Sequence, residues 1–289
     1  MSDVLRALVD LLRLEQVEQG IYRGQSQDLG FGAVFGGQVV GQALSAARQT
    51  VQQDREVHSF HCYFLRPGDA LRPIVYVVDV IRDGKSFSTR GVRAIQHGRP
   101  IFNLTASFQR SEPGFDHQDS MPEVPGPEGL VSELELAHRY RHLIPEPIRD
   151  KLTCQMPIEM RPVKLHNPLQ PERSDPVRHV WIRAAGELPD DARIQAYLLA
   201  YASDFNFLVT ALQPHGRSHW DRSIQMATID HAMWFHREFR MDDWLLYSVD
   251  SPNASGARGL VRGQFFDGQG RLVASTIQEG LIRQVTPRG

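Results

Sequence analysis

The feature that most constrains the fold of this chain is an internal duplication. The run HSFHCYFLRPGD starts at His58 and the run TIDHAMWFHREF starts at Thr228, an offset of 228 − 58 = 170 residues. Each half also has a Gly-Arg pair before a later strand, ending at Arg99 in the first half and at Arg271 in the second, an offset of 271 − 99 = 172 residues. Each run is followed by further strand-like segments. The sequence therefore predicts two similar halves fused around a shared interior.

Composition argues against several classes of partner. With 32 basic and 34 acidic side chains, the net charge of −2 gives no support to a nucleic-acid surface. Two cysteines, Cys62 and Cys154, are too few for a disulfide framework and favour a reducing compartment. The N-terminus lacks an apolar signal core, and the sequence has no apolar run long enough to cross a bilayer. We therefore expect a cytoplasmic protein with neither a nucleic-acid partner nor membrane insertion.

The hydrophobic pattern divides the chain into three parts. Residues 1–112 form an N-terminal module, in which a helix after Gly37 precedes four strands rich in Val, Ile, Phe and Thr. Residues 113–153 form a linker with a short helix, because 11 of the 18 prolines lie between Pro113 and Pro176. Residues 154–289 form a C-terminal module with one long helix over 191–212 and further strands. One helix against an antiparallel sheet in each half predicts an α+β fold.

Three residues of the second half are candidates for chemistry. Asp204 is predicted on an otherwise apolar helix face, between Ala200 and Leu208, where a charged carboxylate is costly unless it is hydrogen-bonded. It could equally form a hydrogen bond to a neighbouring strand, or the helix could turn it toward solvent. Thr228 and Gln278 lie in predicted strands, where such residues more often serve only the sheet. The residues alone leave their roles open.

Several long motifs in order give the chain a specific resemblance. These are VFGGQVVGQAL, HSFHCYFLRPGD, RDGKSFSTR, PIFNLTASFQ, SDFNF, TIDHAMWFH and STIQEG. Together they resemble the bacterial acyl-coenzyme A thioesterase II family, whose relatives include peroxisomal acyl-CoA thioesterases, over residues 5–284. The resemblance implies a double hotdog fold, with a long central helix wrapped by a curved sheet in each half. It also implies a homo-oligomer, either a dimer or a tetramer, and an acyl-CoA substrate.

The resemblance further implies a catalytic trio. The Asp of SDFNF is Asp204, the hydroxyl residue before IDH is Thr228, and the Gln of STIQEG is Gln278. The corresponding first-half positions are expected at Gln38, His58 and Ala106, so only the second half is equipped. A thioester needs an activated water and a stabilised oxyanion, which such a trio can provide without a nucleophilic Ser or Cys. The oxyanion donor stays open between the Gln278 amide and a backbone N–H at a helix N-terminus.

Other residues of the chain permit alternative functions and ligands. An enoyl-CoA hydratase or dehydratase would have Asp230 and His231 as its only nearby pair, and a protein that merely binds acyl-CoA needs no catalytic trio. His138 and His142, four residues apart on a predicted helix, make a weak metal signal, and no metal or other cofactor is expected. The basic residues considered for coenzyme A are Arg66, Arg72, Lys85 and Arg90. The preferred acyl length is not readable from the sequence.

Overall fold

The computed structural model describes residues 1–30, 32–144, 146–221 and 223–285. Its elements in the first half are α1 (Asp3–Leu12), β1 (Glu15–Glu18), β2 (Ile21–Gly24), α2 (Gly36–Arg48), β3 (Glu56–Phe64), β4 (Ile74–Asp83), β5 (Phe87–Gln96) and β6 (Arg99–Gln109). The linker holds α3 (Glu133–Arg139), a 3-10 turn (Arg141–Leu143) and α4 (Glu146–Leu152). A helix is therefore present where the sequence predicts one. A second helix, α4, follows it, and the sequence did not predict it because prolines stand at positions 145 and 147.

The second half repeats the order of elements. It contains β7 (Ile158–Pro162), β8 (Val177–Ala184), α5 (Ala192–Ala202), a 3-10 helix (Leu208–His215), β9 (Ile224–Thr228), β10 (Asp230–Phe235), β11 (Leu245–Ser255), β12 (Arg258–Phe266) and β13 (Leu272–Gln284). The described strands form one antiparallel sheet in the order β1-β2-β4-β5-β6-β3-β10-β13-β12-β11-β8-β7, with β9 beside β13. This layout confirms the α+β class.

The two halves meet where β3 pairs with β10, with Phe60 opposite Met233 and Cys62 opposite His231. On either side of this junction the strand order of one half mirrors that of the other. The helices α1, α2 and α5 pack on one another, α2 also packs on strands β3 to β6, and all three helices bury side chains in a common core. Apolar burial of this extent is the main stabilising contribution to such a fold. Representative fully buried core residues are Leu5, Val40, Phe60, Phe102 and Leu199.

The prediction of one unbroken helix over 191–212 is wrong. α5 ends at Ala202, a turn spans residues 203–207, and a 3-10 helix then begins at Leu208. Asn206 in this turn has φ of 53°, in the left-handed region that Asn tolerates better than most residues and that ends a helix. Asp204 therefore lies in a helix break, and the long central helix implied for each half is interrupted in the second.

Strand registers also refine how the halves correspond. Ala106 matches Gln278 when the two halves are aligned, and the pair Val57–Phe108 then falls on Thr228–Gly280. His58 is the bulged residue between Val57 and Ser59, so it corresponds to Ile229 and not to Thr228. The expected correspondences Ala106–Gln278 and His58–Thr228 therefore differ from each other by one residue in register. Gln38 is buried and binds the loop before α2, accepting from the N–H of Gln27 and donating to the carbonyl of Gln25.

Candidate active site

Three segments far apart in sequence bring Asp204, Thr228 and Gln278 together. Asp204 lies in the turn after α5, Thr228 is the last residue of β9, and Gln278 lies on β13 beside that strand. The Gln278 amide Nε2 donates to Thr228 Oγ1 at 2.9 Å. Both side chains also face the Asp204 carboxyl and favour its ionised form. The three candidate residues thus form one cluster.

The first half supplies a main-chain group to this cluster. The backbone N–H of Gly37, in the first turn of α2, faces the Asp204 carboxyl and favours its ionised form. First-turn N–H groups have no partner within their own helix, and the helix dipole favours negative charge there. Sequence reasoning missed this residue as a partner of Asp204, although the glycines of VFGGQ are a visible signal for close backbone approach.

Two glycines make that approach possible. A Cβ on Gly36 would lie 2.5 Å from Asp204 Oδ2, and a Cβ on Gly37 would lie 2.2 Å from the carbonyl oxygen of Tyr201. At Gly37 the clash would be with backbone, so α2 can approach the end of α5 this closely only with glycine there, whereas a side chain at Gly36 would displace the Asp204 carboxyl. The small residues at the start of α2 therefore serve contact with α5 as well as with the sheet.

The Asp204 carboxyl has an unusual environment. Burial raises its pKa from 3.8 to about 7, and the hydrogen bonds from Gly37, Gln278 and Thr228 only partly oppose that rise. The rings of Phe35 and Phe205 stack beside the turn, with centroids 4.3 Å apart, and they help to exclude solvent. The residue as a whole is half-buried. A pKa near 7 is what a general base needs at neutral pH.

A second layer of polar residues lies behind Gln278. His231 Nδ1 is 3.0 Å from Gln278 Oε1, and His231 Nε2 is 2.9 Å from Ser203 Oγ. His231 and Gln278 are each about 1% exposed. Burial lowers the pKa of His231 to about 4, so the ring is neutral at pH 7. The sequence pairs His231 with Asp230, but the structure joins it to Gln278 instead.

The linker braces the turn that carries Asp204. Glu133, the first residue of α3, pairs with Arg178 on β8 at 2.9 Å and lies 3.4 Å from the Asn206 amide. Next to this contact is an apolar crevice with Arg178 and Asn206 at its edge. It is lined by Met160, Val180, Ile182, Ala202, Phe205, Tyr247 and Val249.

The coenzyme A candidates separate into two groups. Arg66, Arg72 and Lys85 are exposed. Arg90 is 2% exposed and binds Asp83, the Thr50 hydroxyl and the carbonyl of Arg82, so it serves the fold and is not a ligand candidate. Within the described ranges, no group of three or more His, Cys, Asp or Glu side chains converges on a possible metal position. The described helices also include none that is long and apolar enough to cross a membrane.

Comparison with known families then decides the kinship of the chain. The family model described as acyl-CoA thioesterase matches residues 147–281, and the model of the acyl-CoA thioesterase N-terminal domain matches residues 25–109. Acyl-CoA thioesterase 2 of Haemophilus influenzae is 47% identical over 98% of this chain and 99% of its own length. The chain belongs to the acyl-CoA thioesterase II family. This confirms the expected kinship and the expected enzyme class, a thioester hydrolase.

More distant proteins of this family and fold agree. Human acyl-coenzyme A thioesterase 8 is 42% identical over 94% of this chain and 88% of its own length. The crystal structure of the acyl-CoA thioesterase II TesB2 of Mycobacterium marinum is 40% identical and superimposes with a TM-score of 0.79 over 96% of this chain and 99% of that one. A hot dog fold protein of Alicyclobacillus acidocaldarius is 18% identical and superimposes with a TM-score of 0.77 over 98% of this chain and 99% of that one. The double hotdog expectation is therefore confirmed, whereas the roles of the three site residues stay predictions.

Proposed function

We propose that this thioesterase hydrolyses fatty acyl-CoA to a free fatty acid and coenzyme A by direct attack of water. Asp204 accepts a proton from that water, while Thr228 and Gln278 hold it in line with the thioester carbonyl. The observation that carries the proposal is the cluster itself: a carboxyl with a pKa of about 7 faces a hydroxyl and an amide that are hydrogen-bonded to each other and come from two strands. A general base with such a pKa is half ionised at neutral pH.

The proposed reaction balances without a covalent enzyme intermediate. Water oxygen bonds to the carbonyl carbon, and the proton that it loses goes to Asp204. The tetrahedral intermediate then collapses, the carbon–sulfur bond breaks, and Asp204 returns the proton as the coenzyme A thiolate leaves. A thiol has a pKa of about 8.5, so the leaving group needs little assistance. The larger demands are orienting the water and stabilising the oxyanion.

The N-terminus of α2 supports oxyanion stabilisation. Its first turn lies against Asp204 through Gly36 and Gly37. The positive end of this 13-residue helix therefore favours negative charge at the same place. We propose that main-chain N–H groups of this turn stabilise the oxyanion, because the Gln278 amide has only two N–H groups and one of them already donates to Thr228.

The hydratase reading has less support in the geometry. Asp230 Oδ1 accepts the N–H of Glu279, whereas His231 turns inward to Gln278 and Ser203. Adjacent residues on a strand point to opposite faces of the sheet, so these two side chains do not converge on one substrate atom.

The decisive experiment measures thiol release from saturated acyl-CoA by purified Asp204→Asn and wild-type protein. The variant is expected to lose roughly 10²–10⁴ in kcat, the usual contribution of a general base. The exposed substitution Asp79→Asn is the matched control and should leave kcat unchanged. Full activity in Asp204→Asn would refute the assignment. Absorbance loss from an enoyl-CoA without thiol release would support a hydratase, and stoichiometric binding with no turnover would support a binding protein.

Substrate range, assembly and location belong to the same proposal. A panel of acyl chain lengths measures the preferred substrate. Charge-removing variants of Arg66, Arg72 and Lys85 test whether these exposed side chains hold the phosphates, because each true contact should raise KM with little change in kcat. We also propose a homo-oligomer, a dimer or tetramer, which light scattering measures, and a cytoplasmic location, which cell fractionation measures.

A further inference from the structure

His231 occupies a position from which it controls the direction of the Gln278 amide. The donating end of the amide, Nε2, lies 2.9 Å from Thr228 Oγ1. Its accepting end, Oε1, lies 3.0 Å from His231 Nδ1. An ionised Asp204 can only accept, so the amide must present its NH2 end to Asp204 and Thr228. Its carbonyl end must then face His231, which has to offer a donor there.

The neutral imidazole of His231 has one N–H, and the network decides which nitrogen carries it. With the proton on Nδ1, the ring donates to Gln278 Oε1, and Nε2 accepts from the Ser203 hydroxyl at 2.9 Å. That hydroxyl also lies 2.9 Å from the Ala200 carbonyl and has one proton to donate, so the Ser203 end accommodates either tautomer and the Gln278 end decides between them. With the proton on Nε2, Nδ1 becomes an acceptor and the amide is drawn round to present its NH2 end to His231. Its carbonyl would then face the Asp204 carboxylate, acceptor against acceptor. The tautomer protonated on Nδ1 therefore directs the Gln278 NH2 toward Asp204, whereas the tautomer protonated on Nε2 directs the Gln278 carbonyl there.

The surroundings of the ring resist any reorientation. The rings of Phe60 and Phe207 lie on it with centroids 5.9 Å away, and Cys62 Sγ donates to the His231 carbonyl at 3.1 Å. Ser203 is adjacent in sequence to Asp204, and its own carbonyl accepts from Tyr247 Oη at 3.0 Å. The hydrogen-bond path from Asp204 through Gln278 and His231 thus returns to the residue beside Asp204. Closed buried networks of this type fix side-chain directions.

We propose that His231, protonated on Nδ1 and anchored by Ser203, is a positioning residue that holds the Gln278 NH2 toward Asp204 and the attacking water. It touches neither substrate nor water. The inference rests on the proposed function for its effect on turnover, but the tautomer itself can be measured without turnover.

The first test is the tautomer in the unsubstituted protein. Nitrogen-15 spectra of histidine-labelled protein at pH 7 should show one buried ring with a protonated Nδ1 and a bare Nε2. Its signal is assigned among the 12 histidines by its absence from His231→Asn. A ring protonated on Nε2 would overturn the proposal whatever the outcome for Asp204→Asn, so the failure of this inference is distinguishable from failure of the proposed function.

The second test compares a variant that keeps the donor with one that removes it. The Asn amide NH2 can take the place of Nδ1–H, so His231→Asn should remain within about three-fold of wild-type kcat, whereas His231→Leu should lose about ten-fold or more. Loss of the fixed NH2 donor also raises the pKa of Asp204, so the acid limb of the kcat/KM profile should move to higher pH in His231→Leu alone. His236→Leu, at an exposed histidine just after β10, is the control.

A double-mutant cycle separates positioning from general support of the fold. In a Gln278→Ala background the His231→Leu change should have no further effect on kcat, because the group that it positions is already gone. Equal losses in His231→Asn and His231→Leu, or independent losses in the cycle, would overturn the proposal. If His231→Leu fails to fold, His231→Asn and the tautomer measurement decide the question.

Discussion

The buried carboxyl of Asp204 predicts that the protein gains stability when this residue loses its charge. Its pKa in the folded protein is about 7, against 3.8 for the free side chain. Each pH unit between these values corresponds to about 1.4 kcal/mol, so an ionised Asp204 destabilises the fold by on the order of 4 kcal/mol. Asp204→Asn removes that charge and keeps the size and most of the polarity of the side chain.

The sign of the pH dependence follows from proton counting. Between pH 3.8 and about 7 the folded protein holds a proton on Asp204 that the unfolded chain has lost, so wild-type stability falls as pH rises through this window. The variant has no such proton. Its advantage over wild type should therefore be small near pH 4, should grow through pH 5 and 6, and should level off above pH 7.

Urea or thermal unfolding of both proteins at pH 5 and pH 8 measures this difference. The advantage of Asp204→Asn is expected to grow by about 2–3 kcal/mol between the two pH values, or roughly 5–10 °C in Tm for a chain of this size. The exposed Asp79→Asn substitution is the control, and its curve should parallel that of wild type. A constant difference between Asp204→Asn and wild type from pH 5 to pH 8 would refute the argument that burial raises this pKa.

Three further predictions concern neighbouring contacts. Gly36→Ala should lower kcat at least about ten-fold, because its Cβ would lie 2.5 Å from Asp204 Oδ2, while Gly114→Ala, with nothing within 4 Å, should have no effect in the same thiol-release assay. Thr228→Val removes the hydroxyl but keeps the shape, and should lower kcat about ten-fold, whereas Thr228→Ser should retain most activity. Arg90→Ala should lower the free energy of unfolding by about 2–4 kcal/mol in urea titrations, leaving KM for acyl-CoA unchanged. A large rise in KM for Arg90→Ala would return that residue to the coenzyme site.

Most strands were predictable because alternation and turn residues are local signals. The four strands predicted after the first-half helix are present as β3 to β6. The break after Ala202 was not predictable in this way, since apolar periodicity continues through it and one left-handed residue, Asn206, interrupts the helix. The module boundaries after residues 112 and 153 remain predictions, which limited proteolysis measures.

The candidate site divides along a similar line. The residue types of Asp204, Thr228 and Gln278 came from motifs, and the fold brings these three side chains into contact. The roles of Gly37 and His231 depend on long-range pairing, of α2 with α5 and of β10 with β13, that no local pattern encodes. A single His in a strand is usually an ordinary buried residue whose ring nitrogens are hydrogen-bonded within the core. Only the distance between His231 and Gln278 shows that this His contacts the candidate site.

The contact between α2 and Asp204 has a consequence for how the first half should be studied. Its direct link to the carboxyl is a peptide N–H on a residue without a side chain. Alanine scanning deletes side chains, so at Gly37 it can add an obstacle but cannot subtract the interaction. A conventional scan would score residues 1–112 as scaffold. Replacing the peptide bond before Gly37 with an ester, which deletes that single N–H, would measure its contribution to turnover directly.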